Sequence, residues 1–200
     1  ADRLPELPTA RMKALPVAAL YGSTASGKTT FVEALASLRN CIVAGNEIGG
    51  IFKLHPFRLD PEAVKAVTFE LAALVGEHVY RYELALLPEK VVREVLTLET
   101  PSGVLKLFSR NADGRVAFGE TCFPKDRLPV LRLIASATTA NQLFLTIAVR
   151  LNATEFFPFF DWVKNRLVVL AADGEPPAVH PFPDPASPSA CGSSSTCGTS

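Results

Sequence analysis

Neither sign of charge predominates in this chain: lysine plus arginine and aspartate plus glutamate each number 20 of 200 residues. The balance removes any global field that would draw the molecule to nucleic acid or to an acidic membrane. Paired metal-binding cysteines are also missing. Cys41, Cys122, Cys191 and Cys197 form no C-x-x-C, and no histidine lies close enough to any of them to suggest zinc. They read as incidental reduced thiols. The opening Ala-Asp-Arg-Leu-Pro has no apolar core of a secretory signal. No run approaches the length of a membrane span, and residues 130–151 are interrupted by Arg132, Asn141, Gln142 and Arg150. These absences predict a soluble, cytoplasmic protein with no membrane partner. An initiator methionine is lacking too, and the first apolar strand comes only after about a dozen irregular residues, which predicts a fragment of a longer protein.

Apolar residues make up 48% of the chain, enough for a globular core, and the length suits one domain with an appendage. The boundary is expected near 172. From Asp173, Pro176, Pro177, Pro181, Pro183, Pro185 and Pro188 give way to a Ser/Gly/Thr end. Such a composition buries too little apolar surface to offset its ordering entropy, so 173–200 reads as a disordered tail.

Gly22-Ser-Thr-Ala-Ser-Gly-Lys28-Thr29 fits G-x-x-x-x-G-K-[ST] at every fixed position. Phosphate oxygens are densely anionic, and closely spaced N–H donors plus a cation are needed to replace their water. Gly22 and Gly27 remove Cβ from the turn, so the amides of Gly22, Ser23, Thr24, Ala25, Ser26, Gly27, Lys28, Thr29 and Thr30 can line one concavity. Lys28 reaches the β- and γ-phosphates of ATP, and the Thr29 hydroxyl is placed to ligate Mg²⁺. The flanks agree with this reading. Leu15-Pro-Val-Ala-Ala-Leu-Tyr21 predicts a buried parallel strand, and Phe31, Leu35 and Leu38 recur at helical spacing after it.

Beyond a glycine-rich connection at 43–51 and a proline-broken segment at 55–61, the period changes to two. Phe69, Leu71, Ala73 and Val75 lead to a turn at Gly76-Glu77. Tyr80, Tyr82, Leu84 and Leu86 return from it. Further strands are predicted over 91–99, 104–110 and 115–118, with turns at 100–103 and 111–114, completing an antiparallel meander. Leu143, Ile147 and Leu151 predict a helix starting at Thr138 or Thr139. Phe156, Phe157, Phe159, Phe160, Trp162 and Val163 crowd a second helix around Pro158, as core rather than as base-stacking rings. Arg166-Leu-Val-Val-Leu170 reads as a last buried strand.

This order of elements resembles the ABC/SMC-like branch of AAA-annotated P-loop ATPases, found in bacterial defence systems and overcoming-lysogenization-defect-type nucleases. The P-loop there reads Gly-x-Asn-Ala-Ser-Gly-Lys-[ST], with Thr24 at the Asn position here. The resemblance also takes in Leu15–Tyr21, His55-Pro-Phe-Arg-Leu-Asp60, Thr68-Phe-Glu-Leu71, Tyr80-Arg-Tyr82, Leu143-Phe-Leu and Phe160-Asp-Trp-Val-Lys-Asn-Arg-Leu167, roughly residues 12 to 170. It implies an α/β fold, the N-terminal portion of a P-loop NTPase with an antiparallel β-meander and a following helical segment. It also implies ATP and Mg²⁺ as cofactors, ATP held between two such domains in a head-to-tail homodimer, and a nuclease or nucleic acid as partner. Hydrolysis in that family needs a signature motif, a Walker B carboxylate pair and usually a switch histidine. No Leu-Ser-x-Gly occurs here. Asp173 and Glu175 end an apolar run but are split by Gly174. In Phe-Phe-Asp161-Trp, Trp162 occupies the Glu position. His55, His78 and His180 read as loop, strand-surface and tail residues.

Two other readings stay open. Ala25-Ser-Gly-Lys-Thr-Thr30 also resembles the P-loop of uridine-kinase-like enzymes, which transfer a γ-phosphoryl group to a nucleoside. Such an enzyme needs an early acidic base, for which 41–60 offers only Glu47 and Asp60, and alternating α/β units where the meander lies. The other reading is a non-catalytic remnant whose loop no longer binds nucleotide.

Overall fold

In the computed structural model, residues 18–24, 26–52, 66–119 and 121–170 are described. The chain divides into two units, Ala1–Val169 and Leu170–Ser200, and the regular elements among the described residues belong to the first. Helix α1 (Lys28–Val43) is followed by strands β1 (Val67–Val75), β2 (His78–Leu87), β3 (Lys90–Thr100), β4 (Gly103–Arg110) and β5 (Val116–Phe118). Helices α2 (Arg127–Ala137), α3 (Phe144–Arg150) and α4 (Phe157–Asn165) complete a mixed α/β fold, with a 3-10 turn at Thr154–Phe156.

The five strands form one antiparallel sheet in the order β1-β2-β3-β4-β5, so the meander is as the alternating pattern predicts. Each strand pairs with the one before it, because the turns are too short for any other connection. The registers align two rows on the same face. One runs Leu71, Tyr82, Leu96, Phe108, Phe118; the next runs Phe69, Leu84, Glu94, Arg110, Val116. On this face the helices pack. Tyr82, Leu96, Phe108, Phe144, Phe156 and Phe159 are fully buried, and Phe159 lies 5.5 Å from the ring of Tyr82. Phe156 and Phe159 are therefore core, their rings already packed against others, while Phe160 and Trp162 are half-buried against the core and Phe157 is 37% exposed. The opposite face is wetter and laced by cross-strand ion pairs, Arg81 to Glu70 and Glu99, and Arg93 to Glu83.

Four expectations are corrected. Residues 18–21 belong to no strand, and Leu20 and Tyr21 are 65% and 90% exposed, because the sheet pairs only strands of the meander. Phe31 is 58% exposed, since the sheet and helices cover only the C-terminal half of α1, at Leu38 and Ile42. The helix expected from Thr138 or Thr139 begins at Phe144. Thr139 instead directs its hydroxyl to the side chains of Asn141 and Gln142, a local bond that competes with helix formation. Residues 167–170 form no strand, and Val168 and Leu170 are exposed. The proline-rich segment from Asp173 lies outside the described residues.

Candidate functional site

The loop before α1 is shaped by two glycines. Gly27 takes the left-handed conformation, φ 88, and serves as N-cap of α1 without a side-chain bond. Any other residue would be strained there. At Gly22 the requirement is space, because an added Cβ would collide with Ser26 Oγ. The turn is closed by Ser26 N–H donating to Ser23 O at 3.2 Å, and Gly27 O accepts from Phe31 N–H in the first turn of α1.

Lys28 bends back over this loop. Its Nζ donates to Gly22 O at 2.8 Å, Ser23 O at 2.7 Å and Ser26 Oγ at 3.0 Å, all near solvent. An ammonium has three donors, so all are used and the charge sits on the concave side of the turn. Thr29 and Thr30 are exposed at the start of α1, as are Ser23 and Thr24. Ala25 lies outside the described residues. The first four amides of a helix lack partners within it and carry the positive end of its dipole, and the first turn of α1 contains no acidic side chain to neutralise them. Exposed loop residues, the Lys28 ammonium and the exposed Thr29 lie together at one end of α1. That chemistry suits a polyanion accompanied by a divalent cation.

The far end of α1 is fixed. Thr146 Oγ1 donates to Ile42 O at 2.7 Å, and Arg150 donates to Ala44 O. Arg39 reaches Lys164 O of α4 at 2.7 Å. The last carbonyls of α1 thus find donors on α3, while its N-terminal half projects from the core.

A buried polar cluster holds α3 in turn, and sequence reasoning missed it. Glu94 accepts from Phe144 N–H at 2.8 Å, Leu145 N–H at 2.9 Å and Tyr82 O–H at 2.9 Å. Its carboxylate caps α3 from another element, since the N-cap Leu143 has no side chain to do so. Arg110, directly across the sheet from Glu94, donates to the carbonyls of Gln142 and Thr139. Its Nη1 stands 3.9 Å from Glu94 Oε2, an electrostatic contact rather than a hydrogen bond. Burial pushes the Glu94 carboxyl above its ordinary value, against the pull of the two amides, Arg110 and Tyr82. Burial, then the Glu94 charge, raise the Tyr82 hydroxyl well above its usual range, and burial lowers the Arg110 guanidinium. The legible signal was period two, because Glu94 is two residues from Leu96 and Arg110 two from Phe108, charges in step with an apolar row. The same loop also clasps 46–50, where Asn141 Nδ2 donates to Glu47 O and Gly50 O, each at 2.8 Å.

Among the described residues, no other candidate from the sequence is brought to the Gly22–Thr29 loop by a contact. His78 is an exposed residue at the start of β2. Asp161 is exposed and accepts from Asn165 Nδ2 at 2.6 Å, within its own helix. His55, Asp60, Asp173, Glu175 and His180 lie outside the described residues, with Cys191 and Cys197. Cys41 and Cys122 are free thiols, and burial raises that of Cys41. Among the described residues no group of three histidines, cysteines or carboxylates could hold a metal, and no helix is long and apolar enough to cross a membrane. Comparisons with known protein families, with curated proteins and with solved structures gave no match.

Proposed function

We propose that this chain binds ATP with Mg²⁺ through Gly22–Thr29, a Walker A P-loop, as part of an ABC/SMC-like ATPase. The observation that carries this reading is Lys28, whose ammonium is held by Gly22 O, Ser23 O and Ser26 Oγ over a glycine-shaped turn that opens a 16-residue helix. Its three bonds go to neutral oxygen acceptors near solvent, and anionic phosphate oxygens would replace them with full ion pairs. The amides of residues 22–30 would hold the phosphates, and Thr29 would ligate Mg²⁺, which neutralises the phosphate charge and orients the chain of phosphates. Hydrolysis would call on carboxylates and a signature motif supplied from elsewhere, including a second such domain across the nucleotide. A nuclease or nucleic-acid partner belongs to this reading by resemblance.

The uridine-kinase-like alternative is weakened by the five-stranded antiparallel sheet, which stands where alternating α/β units would be expected. Titration with fluorescent ATP tests the proposal. Saturable binding that strengthens with Mg²⁺, is competed by unlabelled ATP and loses its Mg²⁺ dependence in Thr29→Val is expected. A folded sample with no saturable binding contradicts it, and phosphorylation of a nucleoside by the purified chain would replace it with the kinase reading.

A further inference from the structure

Between the β4–β5 turn and the C-terminal half of α2 lies an open concavity of about 600 Å³, within the size range of small-molecule sites. No residue of the Gly22–Thr29 loop contributes to it. Arg110 lines it from β4, Arg115 from the turn and Arg132 from α2, against the single carboxylate of Asp113. That is an excess of guanidinium in a chain whose formal net charge is zero. We propose that this concavity is a second anion site, for a small phosphate-bearing molecule.

The three arginines differ in how they are held. Arg110 is 1% exposed, anchored through Nη1 and Nη2 to Gln142 O and Thr139 O, and its buried Nε–H has no partner. It supplies a fixed charge at the wall, with Glu94 behind it. Arg115 is 89% exposed, and its Nε stands 3.5 Å from Asp113 Oδ2. An exposed pair of that length contributes little, so Arg115 can exchange its carboxylate for a ligand oxygen. Arg132 is exposed and has no hydrogen-bond or ion-pair partner among the described residues. The hydroxyls lining the wall do not compete for this role. Ser136 Oγ donates to Leu133 O at 2.7 Å and Thr138 Oγ1 to Ile134 O at 2.9 Å, so their protons are committed to α2 carbonyls. Recognition would rest on the guanidinium groups, the planar forks of Arg115 and Arg132 taking phosphate oxygens two at a time while Arg110, its own fork committed to carbonyls, supplies charge.

The test uses the full chain carrying Lys28→Ala, which removes the lysine of the other loop, titrated calorimetrically with inorganic pyrophosphate. Saturable binding is expected, weakened at least about tenfold by Arg132→Glu or by Arg115→Glu and reduced by added salt. Both substitutions fall on exposed side chains, and unchanged far-ultraviolet circular dichroism would show that the fold persists. Arg110 is left intact because it also clamps the loop before α3. No saturable binding to the Lys28→Ala protein overturns the proposal, as does binding that survives both charge reversals. Binding of a short single-stranded oligonucleotide with no response to pyrophosphate would overturn it in favour of a nucleic-acid backbone.

Discussion

At the scale of single residues, the shape of the loop before α1 depends on its two glycines. Gly22→Ala places a methyl group against Ser26 Oγ. Ser26 Oγ must then move out of its bond with Lys28, and nucleotide affinity should fall in a fluorescent-ATP titration even though the helices are untouched. Gly27→Ala meets no steric neighbour, and its cost is conformational. Holding alanine at φ 88 should cost about 1–2 kcal/mol locally, read as a frayed first turn of α1 by amide exchange. Arg127 and Glu155 offer a pH test. Arg127 donates to both Glu155 oxygens, at 2.6 and 3.1 Å, and this hydrogen bonding holds the Glu155 carboxyl below its ordinary 4.5. A depressed folded-state value means the pair stabilises the fold above about pH 4.5 and that the gain fades as pH falls through the lowered value. Arg127→Gln should bring the Glu155 titration, followed by NMR, back up toward 4.5. An unmoved titration would contradict the assignment.

At the scale of elements, Glu94 and Arg110 decide how α3, and through it α1, is seated. Glu94→Ala leaves a guanidinium buried without its counter-charge and uncaps α3, so urea denaturation should show a loss of about 3–5 kcal/mol. Replacing both, as Glu94→Leu with Arg110→Met, should recover part of that loss, because the uncompensated charge is gone; a double variant no more stable than Glu94→Ala would refute the coupling. The meander was legible because Phe69, Leu71 and Ala73 alternate with polar or small residues and because the Gly/Pro/Ser/Asn turns fall between such runs. Helix α2 was not, since Leu131 and Ile134 are its only fully or nearly buried residues and Pro129 sits in its first turn. Residues 167–170 misled for the opposite reason. Leu-Val-Val-Leu has the composition of a buried strand, and no strand of the sheet lies beside it to accept its hydrogen bonds. The Glu94–Arg110 pairing was not legible because it depends on the register shift between Leu96 and Thr97, which sets Arg110 opposite Glu94 and which apolar alternation does not show.

At the scale of the whole molecule, one core made by the sheet and four helices holds the C-terminal half of α1 and leaves its N-terminal end, with Lys28, in solvent. The described residues of the loop are thus mounted on an anchored helix and exposed to solvent. Leu20, Tyr21, Phe31 and Val32 are exposed around it. Binding to the native state alone raises apparent stability, by about 2.7 kcal/mol at a hundred times Kd, so Mg²⁺–ATP should also raise Tm. The most direct measurement is a calorimetric titration of Mg²⁺–ATP into the parent chain and into Lys28→Ala, with circular dichroism on both. Saturable binding by the parent and none by an equally folded Lys28→Ala is the predicted result. Equal binding by both proteins, or none by a folded parent, would contradict the assignment of Gly22–Thr29 as a nucleotide site.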